Sequence, residues 1–299
     1  MEFIDKTKLK KEGEAVVISF LQRLKTDDRP YPKDLYNTFR SDKNEKSQQS
    51  YELLRTILMK EQNNRCCYCM RNLDSSEEKT LEHLIPNKIQ DKKAFEEYLS
   101  PETVLSNENV CFADDFIKEE KDKFPPFPHT IAYQNLTVSC NGKISRSASA
   151  THCNNYRGDK YVEPFILYNT ITNEVEYKSD GFAIWKGNKG DIPTLNKLGL
   201  NCELLRMIRR IWLYARKTGF NLLTPNETEK KIFFISLQKI LSDDEIGTIK
   251  NETYWNLLKK YDYFGCNDKK KDIKGIANQL ANFSEREINE LIEIIKSRY

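Results

Sequence analysis

The sequence predicts an α+β chain that is mostly helical, with a short antiparallel β segment and a cysteine- and histidine-rich centre. Three observations predict it. Apolar residues recur at helical spacing towards both ends of the chain. The stretch from Arg65 to about Lys160 is short on that periodicity and holds six of the eight cysteines and all three histidines. Apolar and polar residues alternate between Pro164 and Lys186. With 299 residues, 38% of them hydrophobic, there is room for one large domain or two modest ones.

The elements follow in order. An amphipathic helix is expected from near Gly13 to about Lys25, ended by Asp27-Asp28-Arg29-Pro30-Tyr31-Pro32. A second is expected from about Gln48 to Gln62, with Leu53, Leu54, Ile57 and Leu58 on one face. Ile89 to Phe127 reads as an insertion containing one helix, Lys92 to Leu99, and a Pro-rich end. Two or three antiparallel strands are expected over 164–186, with Phe165, Leu167, Val175, Tyr177, Phe182 and Ile184 as apolar positions. From Cys202 the pattern is helical again, with Leu204, Leu205, Ile208, Ile211, Trp212 and Ala215 as a core stripe. Thr224…Glu227, Ser242…Glu245 and Ser284…Glu287 have the spacing of capping boxes. These breaks divide the chain into an N-terminal helical, partner-binding region (1–50), a central core (51–163) with an insertion at about 89–128, and a β-hairpin plus C-terminal helical region (164–299).

Composition restricts the function classes. No stretch approaches the ~18 consecutive apolar residues that a spanning helix needs, and Met1 to Lys11 lacks an apolar signal core, so a cytoplasmic protein is expected, with no membrane partner. In that compartment cysteines are more often reduced or metal-bound than paired. A net charge of +3, from 48 basic and 45 acidic residues, leaves a nucleic-acid partner open.

The chemistry concentrates in the centre. Cys66 and Cys69 form a C-x-x-C pair, and Cys140 and His152-Cys153 form a second cluster downstream. Four thiolates, or three with His152, would close a structural zinc site, and Cys67 could replace Cys66 in it. Cys111, Cys202 and Cys266 stand alone and read as small core residues. Between the clusters, Thr80-Leu81-Glu82-His83-Leu84-Ile85-Pro86 places an acid and an imidazole in a short β-like run. Phosphodiester hydrolysis needs a base for water and a cation for the charge on phosphorus; His83 suits the first role and Glu82, as a hard oxygen ligand for Mg²⁺ or Mn²⁺, the second.

With Asn135-Leu136…Cys140 and Cys153-Asn154-x-x-Arg157 added, the chain resembles the HNH (ββα-metal) nucleases. The resemblance implies a small ββα-metal core with a zinc knuckle. It implies His83 as general base, Glu82 and Asn154 on one catalytic Mg²⁺ or Mn²⁺ (Asn155 less so), and Asn135 bracing the loop that presents His83. Cys66, Cys69, Cys140 and Cys153 would bind the structural zinc, and Arg157 and Lys160 would contact phosphate. Two departures stand out: residues 141–152 separate the second cysteine pair, which keeps His152 open as a ligand, and a long insertion separates His83 from Asn135. A narrower resemblance rests on Glu82–Pro86, Cys153-Asn154, Gly158-Asp159-Lys160 and Leu198-Gly199-Leu200-Asn201. It is to the PtuB nucleases of Septu anti-phage systems, also found beside some retrons. It implies a PtuA-like ABC/SMC-type ATPase as partner and, beside a retron, the reverse transcriptase with its RNA/DNA product. The chain has no G-x-x-x-x-G-K-[ST] loop of its own.

Competing readings remain at this level. A non-catalytic zinc module could bind nucleic acid or the ATPase, and a Cys66/Cys69 redox pair is a third option, without the βαβ context such a pair has. Arg206, Arg209, Arg210, Arg216 and Lys217 could track a phosphate backbone, form a solvated face or meet an acidic partner surface. DNA and RNA, tRNA included, are both open as substrates. His129 reads as non-catalytic, and Tyr31, Tyr36, Phe124 and Phe127 as packing aromatics.

Overall fold

In a computed structural model of the chain, α1 (Lys10–Lys25) buries Gly13, Val17, Phe20 and Leu21, spacings that form one apolar stripe. The structure describes residues 1–25, 32, 34–43, 49–73, 79–99, 105, 124, 128–145, 148–158, 160–186, 192–218 and 220–261. Gly13 lies inside α1 rather than at its start. A Cβ there would fall 2.1 Å from the Tyr133 ring, so the glycine admits that ring against the helix. The next helix, α2 (Leu35–Ser41), has no clear sequence signal. It is capped by Asp34, and its Phe39 meets Phe20 edge-on with ring centroids 5.1 Å apart. On α3 (Ser50–Glu61), Leu54 and Leu58 are buried, as their spacing predicts.

The chain divides into two units. The first comprises residues 1–143, 149–176 and 184–200. Its centre is β1 (Lys79–His83) paired antiparallel with β2 (Leu136–Cys140), in the register Lys79↔Cys140 to His83↔Leu136. Between the strands lies α4 (Lys92–Glu96), shorter than expected; most of the insertion that carries it lies outside the described residues. All five residues of β2 are buried, and α3 packs on the strand. Against β2 also packs α5 (Cys153–Arg157), which completes a strand–strand–helix unit. A buried polar knot ties the N-terminus to this sheet. Lys6 Nζ donates to Glu61 Oε2 (2.8 Å) and to the Leu136 carbonyl (2.6 Å), and Tyr133 OH donates to the same carboxylate.

The predicted alternation over 164–186 is only half strand. Phe165–Leu167 form a 3₁₀ turn, and α6 (Ile171–Glu174) follows. Phe165, Ile166 and Leu167 are all buried, so three consecutive apolar residues had looked like an alternating pair. The strands that do form are β3 (Val175–Tyr177) and β4 (Ala183–Trp185), paired with each other across a short connection. A short helix, α7 (Ile192–Lys197), precedes Leu198-Gly199.

The second unit comprises residues 144–148, 177–183 and 201 onward, described to Tyr261. Its α8 (Glu203–Thr218) buries five of the six predicted stripe residues, with Leu204 half-buried. Trp212 Nε1 donates to the Leu258 carbonyl at 3.0 Å. The N-cap of α9 (Glu227–Ser236) is Asn226, with Glu229 closing the capping box. Thr224, the expected cap, lies two residues earlier and takes a hydrogen bond from Asn221 Nδ2, so the asparagine won the position. Ser242 and Glu245 cap α10 (Asp243–Lys250) as predicted, and α11 (Glu252–Lys259) follows. The Ser284…Glu287 box, Cys111, Cys266, Tyr31 and Phe127 lie outside the described residues.

Candidate metal centre and active site

The turn Cys66–Cys69 is folded by Cys66 N–H donating to the Arg71 carbonyl (2.8 Å) and Met70 N–H to the Cys66 carbonyl (3.1 Å). Cys140 ends β2 and Cys153 opens α5, and the Sγ atoms of all four cysteines lie within 4.8 Å of one another. The Cys66–Cys153 and Cys69–Cys140 sulfurs are each 3.7 Å apart. That is too long for a disulfide, whose S–S is about 2.05 Å. It matches the edge of a tetrahedron with Zn–S of about 2.3 Å, which is about 3.8 Å. Cys140 N–H also points at Cys66 Sγ (3.3 Å), as it would at a metal-bound thiolate. Burial raises the Cys66 thiol, but hydrogen bonds from Cys140, Cys153 and their neighbours bring it well below the ordinary thiol range. The hydrogen bond with Cys153 leads in lowering Cys140 to about 6, while burial pushes Cys69 and Cys153 up. The donor set fits zinc, whose binding would displace the remaining protons.

The twelve residues between Cys140 and Cys153 do not open the site, because the loop closes on itself. Thr151 N–H donates to the Gly142 carbonyl at 3.0 Å. Gly142 has φ +69°, and a Cβ there would fall 1.7 Å from the His152 carbonyl oxygen, so only glycine permits the closure. His152 is thereby the residue before α5, with Nδ1 at 3.0 Å from Thr151 Oγ1, and stays outside the sulfur set. Cys67 is outside it too: its thiol accepts from Thr137 Oγ1 (3.6 Å), and burial raises its pKa.

Glu82 and His83, adjacent in sequence, leave β1 on opposite faces, as the pleat requires. Glu82 is fully buried and accepts from Tyr68 OH (2.9 Å) and from the Arg157 guanidinium. Burial raises its carboxyl pKa, and Arg157 opposes that. Asn154, one turn before Arg157 on α5, shares this face and donates to Thr80 Oγ1 (2.9 Å). The half-buried His83 ring meets Tyr36 edge-on, with ring centroids 4.7 Å apart. Its Nε2 lies 2.8 Å from the Thr130 carbonyl. A carbonyl only accepts, so Nε2 carries the proton and Nδ1 the lone pair. Burial lowers the ring to about pKa 4, against the Thr130 bond, so it is neutral at pH 7.

Asn135 lies under the His83 loop. Its Oδ1 accepts from Ile85 N–H (2.6 Å), and its Nδ2 donates to the carbonyls of Ile85 (3.1 Å) and His129 (2.8 Å). Arg157 is not at the surface, contrary to a phosphate-contacting role. Besides Glu82, it donates to the carbonyls of His83 (2.8 Å), Leu84 (3.0 Å) and Lys160 (3.2 Å), so the guanidinium bolts α5 to the end of β1. Lys160 is exposed, with its ammonium 4.7 Å from the centre of the exposed Tyr156 ring. Asn155 is exposed as well. Sequence reasoning missed Tyr68, although it lies inside the C-x-x-C turn, and missed Thr130, which acts through a main-chain carbonyl that no side-chain motif marks.

The second cation implied by the resemblance fits less well than zinc. Its donors would be one neutral amide, Asn154, and one carboxylate whose charge Arg157 already offsets. Among the described residues, the cysteine set is the only cluster of three or more His, Cys, Asp or Glu side chains able to hold a metal. Tyr68 and Arg157 both take Glu82 Oε1, which leaves Oε2 as the one carboxylate oxygen for Mg²⁺ or Mn²⁺, a sparser donor set than the four thiols offer zinc. On α8, Arg206, Arg209 and Arg210 are engaged within the chain, while Arg216 and Lys217 are exposed. Arg206 pairs with Asp180 and Arg210 with Glu245, while the buried Arg209 donates to the Gly181 carbonyl at 3.1 Å. Comparison of the chain with family models, curated proteins and solved structures finds no match. Among the described residues, no helix is long and apolar enough to cross a membrane.

Proposed function

We propose that this chain hydrolyses nucleic-acid phosphodiester bonds, with His83 as the general base and zinc on Cys66, Cys69, Cys140 and Cys153 holding the fold of the site. The observation that carries this reading is the His83 ring: Nε2 is tied to the Thr130 carbonyl, so Nδ1 is the proton acceptor in a strand–strand–helix unit. In the reaction, Nδ1 takes a proton from water as the water oxygen forms a bond to phosphorus. The P–O ester bond then breaks, and the departing oxygen takes a proton from solvent water. The ordered likeness to HNH nucleases from Cys66 to Arg157 supports the assignment. By the narrower PtuB likeness, the chain would act as the nuclease subunit of a bacterial anti-phage complex with an ABC/SMC-type ATPase, and in a retron setting with a reverse transcriptase and its RNA/DNA product.

A second reading has its own support. Arg157 offsets the charge of Glu82, the carboxylate that the resemblance assigns to a catalytic cation, as expected of a zinc module that binds nucleic acid or a partner ATPase without cutting. Cleavage assays separate the two. Full-length protein, alone and with its genomic neighbours, is incubated with DNA and RNA in the presence and absence of Mg²⁺ or Mn²⁺. Loss of a general base costs about 10²- to 10⁴-fold, so His83→Ala should lose at least 10²-fold of any cleavage while keeping its zinc. Undiminished cleavage by that variant removes the role given to His83, and no cleavage under any condition supports the zinc module.

A further inference from the structure

A cavity of about 570 Å³ opens beside the start of β1, lined by Arg55, Thr56, Met59, Lys60, Asn63, Asn64 and Lys79. Its construction is specific. Arg55, Thr56, Met59 and Lys60 come from one face of α3, and Met59, 6% exposed, sits at its base. Asn63 and Asn64 then adopt left-handed φ values of +51° and +57°, which turn the chain sharply and leave both amides on the wall. Lys79, the first residue of β1, supplies the opposite side.

The chemistry of the lining is one-sided. Three cations, two amides and a hydroxyl line the cavity, with no carboxylate among the described lining residues. Arg55 is paired with Glu52 one turn back, but Lys60 and Lys79 make no ion pair among the described residues. The end of α3 is the negative pole of its dipole, so an anion here would be held by side chains rather than by the helix. The concavity distinguishes this set from the basic face of α8, where Arg206, Arg209 and Arg210 already hold carboxylates or a carbonyl of the chain.

We propose that this cavity binds the phosphodiester backbone of a nucleic-acid strand, with Lys60 and Lys79 as phosphate contacts and the Asn63 and Asn64 amides as hydrogen-bond donors. Its size admits more than a single phosphate. Lys79 and His83 share β1, four residues and about 14 Å apart at the usual strand rise of 3.4 Å. The inference rests on the nuclease reading for its substrate class, and its test reads binding rather than cleavage.

The test uses the full-length chain in the His83→Ala background, where substrate stays intact. Binding of short labelled DNA and RNA is followed by fluorescence anisotropy between about 50 and 200 mM salt. Lys60→Glu, Lys79→Gln and the double variant are compared with Lys250→Glu, an exposed control on α10, and zinc content checks the fold of each. The double variant should bind at least tenfold more weakly, and its salt slope should fall by about 0.7 to 0.9 for each lost contact. Lys60→Glu alone should show one such step even if the Lys79 variants fold poorly. Equal affinity and slope in Lys60→Glu and Lys250→Glu would overturn the proposal, as would absence of any nucleic-acid binding. Displacement of the oligonucleotide by equimolar pyrophosphate or ATP would reassign the cavity to a small phosphate ligand. Groove-dependent binding without cleavage would keep the cavity and reject the nuclease. His83-dependent cleavage with an unchanged slope would do the reverse.

Discussion

Glu82 and His83 are chain neighbours whose surroundings separate them: one carboxylate buried against Arg157 and Tyr68, one imidazole against Tyr36 and the Thr130 carbonyl. Arg157→Ala would leave Glu82 buried without its counter-charge and free the carbonyls of His83 and Leu84. Breaking one side of such a pair costs about 3–5 kcal/mol, and a fall of that order in the unfolding free energy from urea denaturation is the expected result. Lys160→Ala, which removes an exposed cation, should leave the unfolding free energy within about 0.5 kcal/mol. His83 gives a pH prediction. Its folded pKa is lowered to about 4, so the proton-accepting form persists from pH 8 to about pH 5 and is lost as pH falls towards 4. Cleavage should therefore be nearly flat over that range. A tenfold drop centred near pH 6.5, the ordinary histidine value, would show that the ring is more solvated than its packing indicates.

At the scale of elements, β1, β2 and α5 bring together residues that lie far apart in sequence, and two devices make this work. The Gly142 closure returns Cys153 to Cys140, and Asn135 fixes the loop after His83 from below. Gly142→Ala places a Cβ against the His152 carbonyl at positive φ. It should lower both zinc occupancy and thermal midpoint, measured by metal analysis and by melting. Gly247→Ala on α10 meets nothing within 4 Å, so it should be neutral or stabilising by about 0.5–1 kcal/mol. Equal behaviour of the two variants would mean that the loop closure does not hold the metal site. The cysteine set could be read from the sequence because C-x-x-C spacing and residue type follow from tetrahedral coordination. The choice of Cys153 over His152 could not, since it depends on where the Gly142 turn delivers the chain. Helices α1, α3 and α8 were legible from periodicity, and α10 from its capping box. The 3₁₀ turn at Phe165–Leu167 and helix α2 were not, because burial of Ile166 and the cap at Asp34 are tertiary and local choices that an apolar count does not resolve.

At the scale of the whole molecule, several guanidiniums that looked available in the sequence are committed to acceptors within the chain. Arg157 and Arg209 are buried on their acceptors, Arg210 is half-buried on Glu245 and Arg206 pairs with Asp180 at the surface, whereas the cations around Lys60 and Lys79 line an open cavity. The Lys6–Glu61–Tyr133 knot, joined to the Leu136 carbonyl, secures the N-terminal segment to β2. The near-neutral total of the sequence could not reveal this division between committed and available charge. The measurement that tests the central claim most directly is cleavage of DNA and RNA by wild type against His83→Ala, with zinc content determined on both. A drop of at least 10²-fold in the variant, with zinc retained, is the result predicted for His83 as the proton acceptor. Equal cleavage by the two proteins, or none by either, would contradict it.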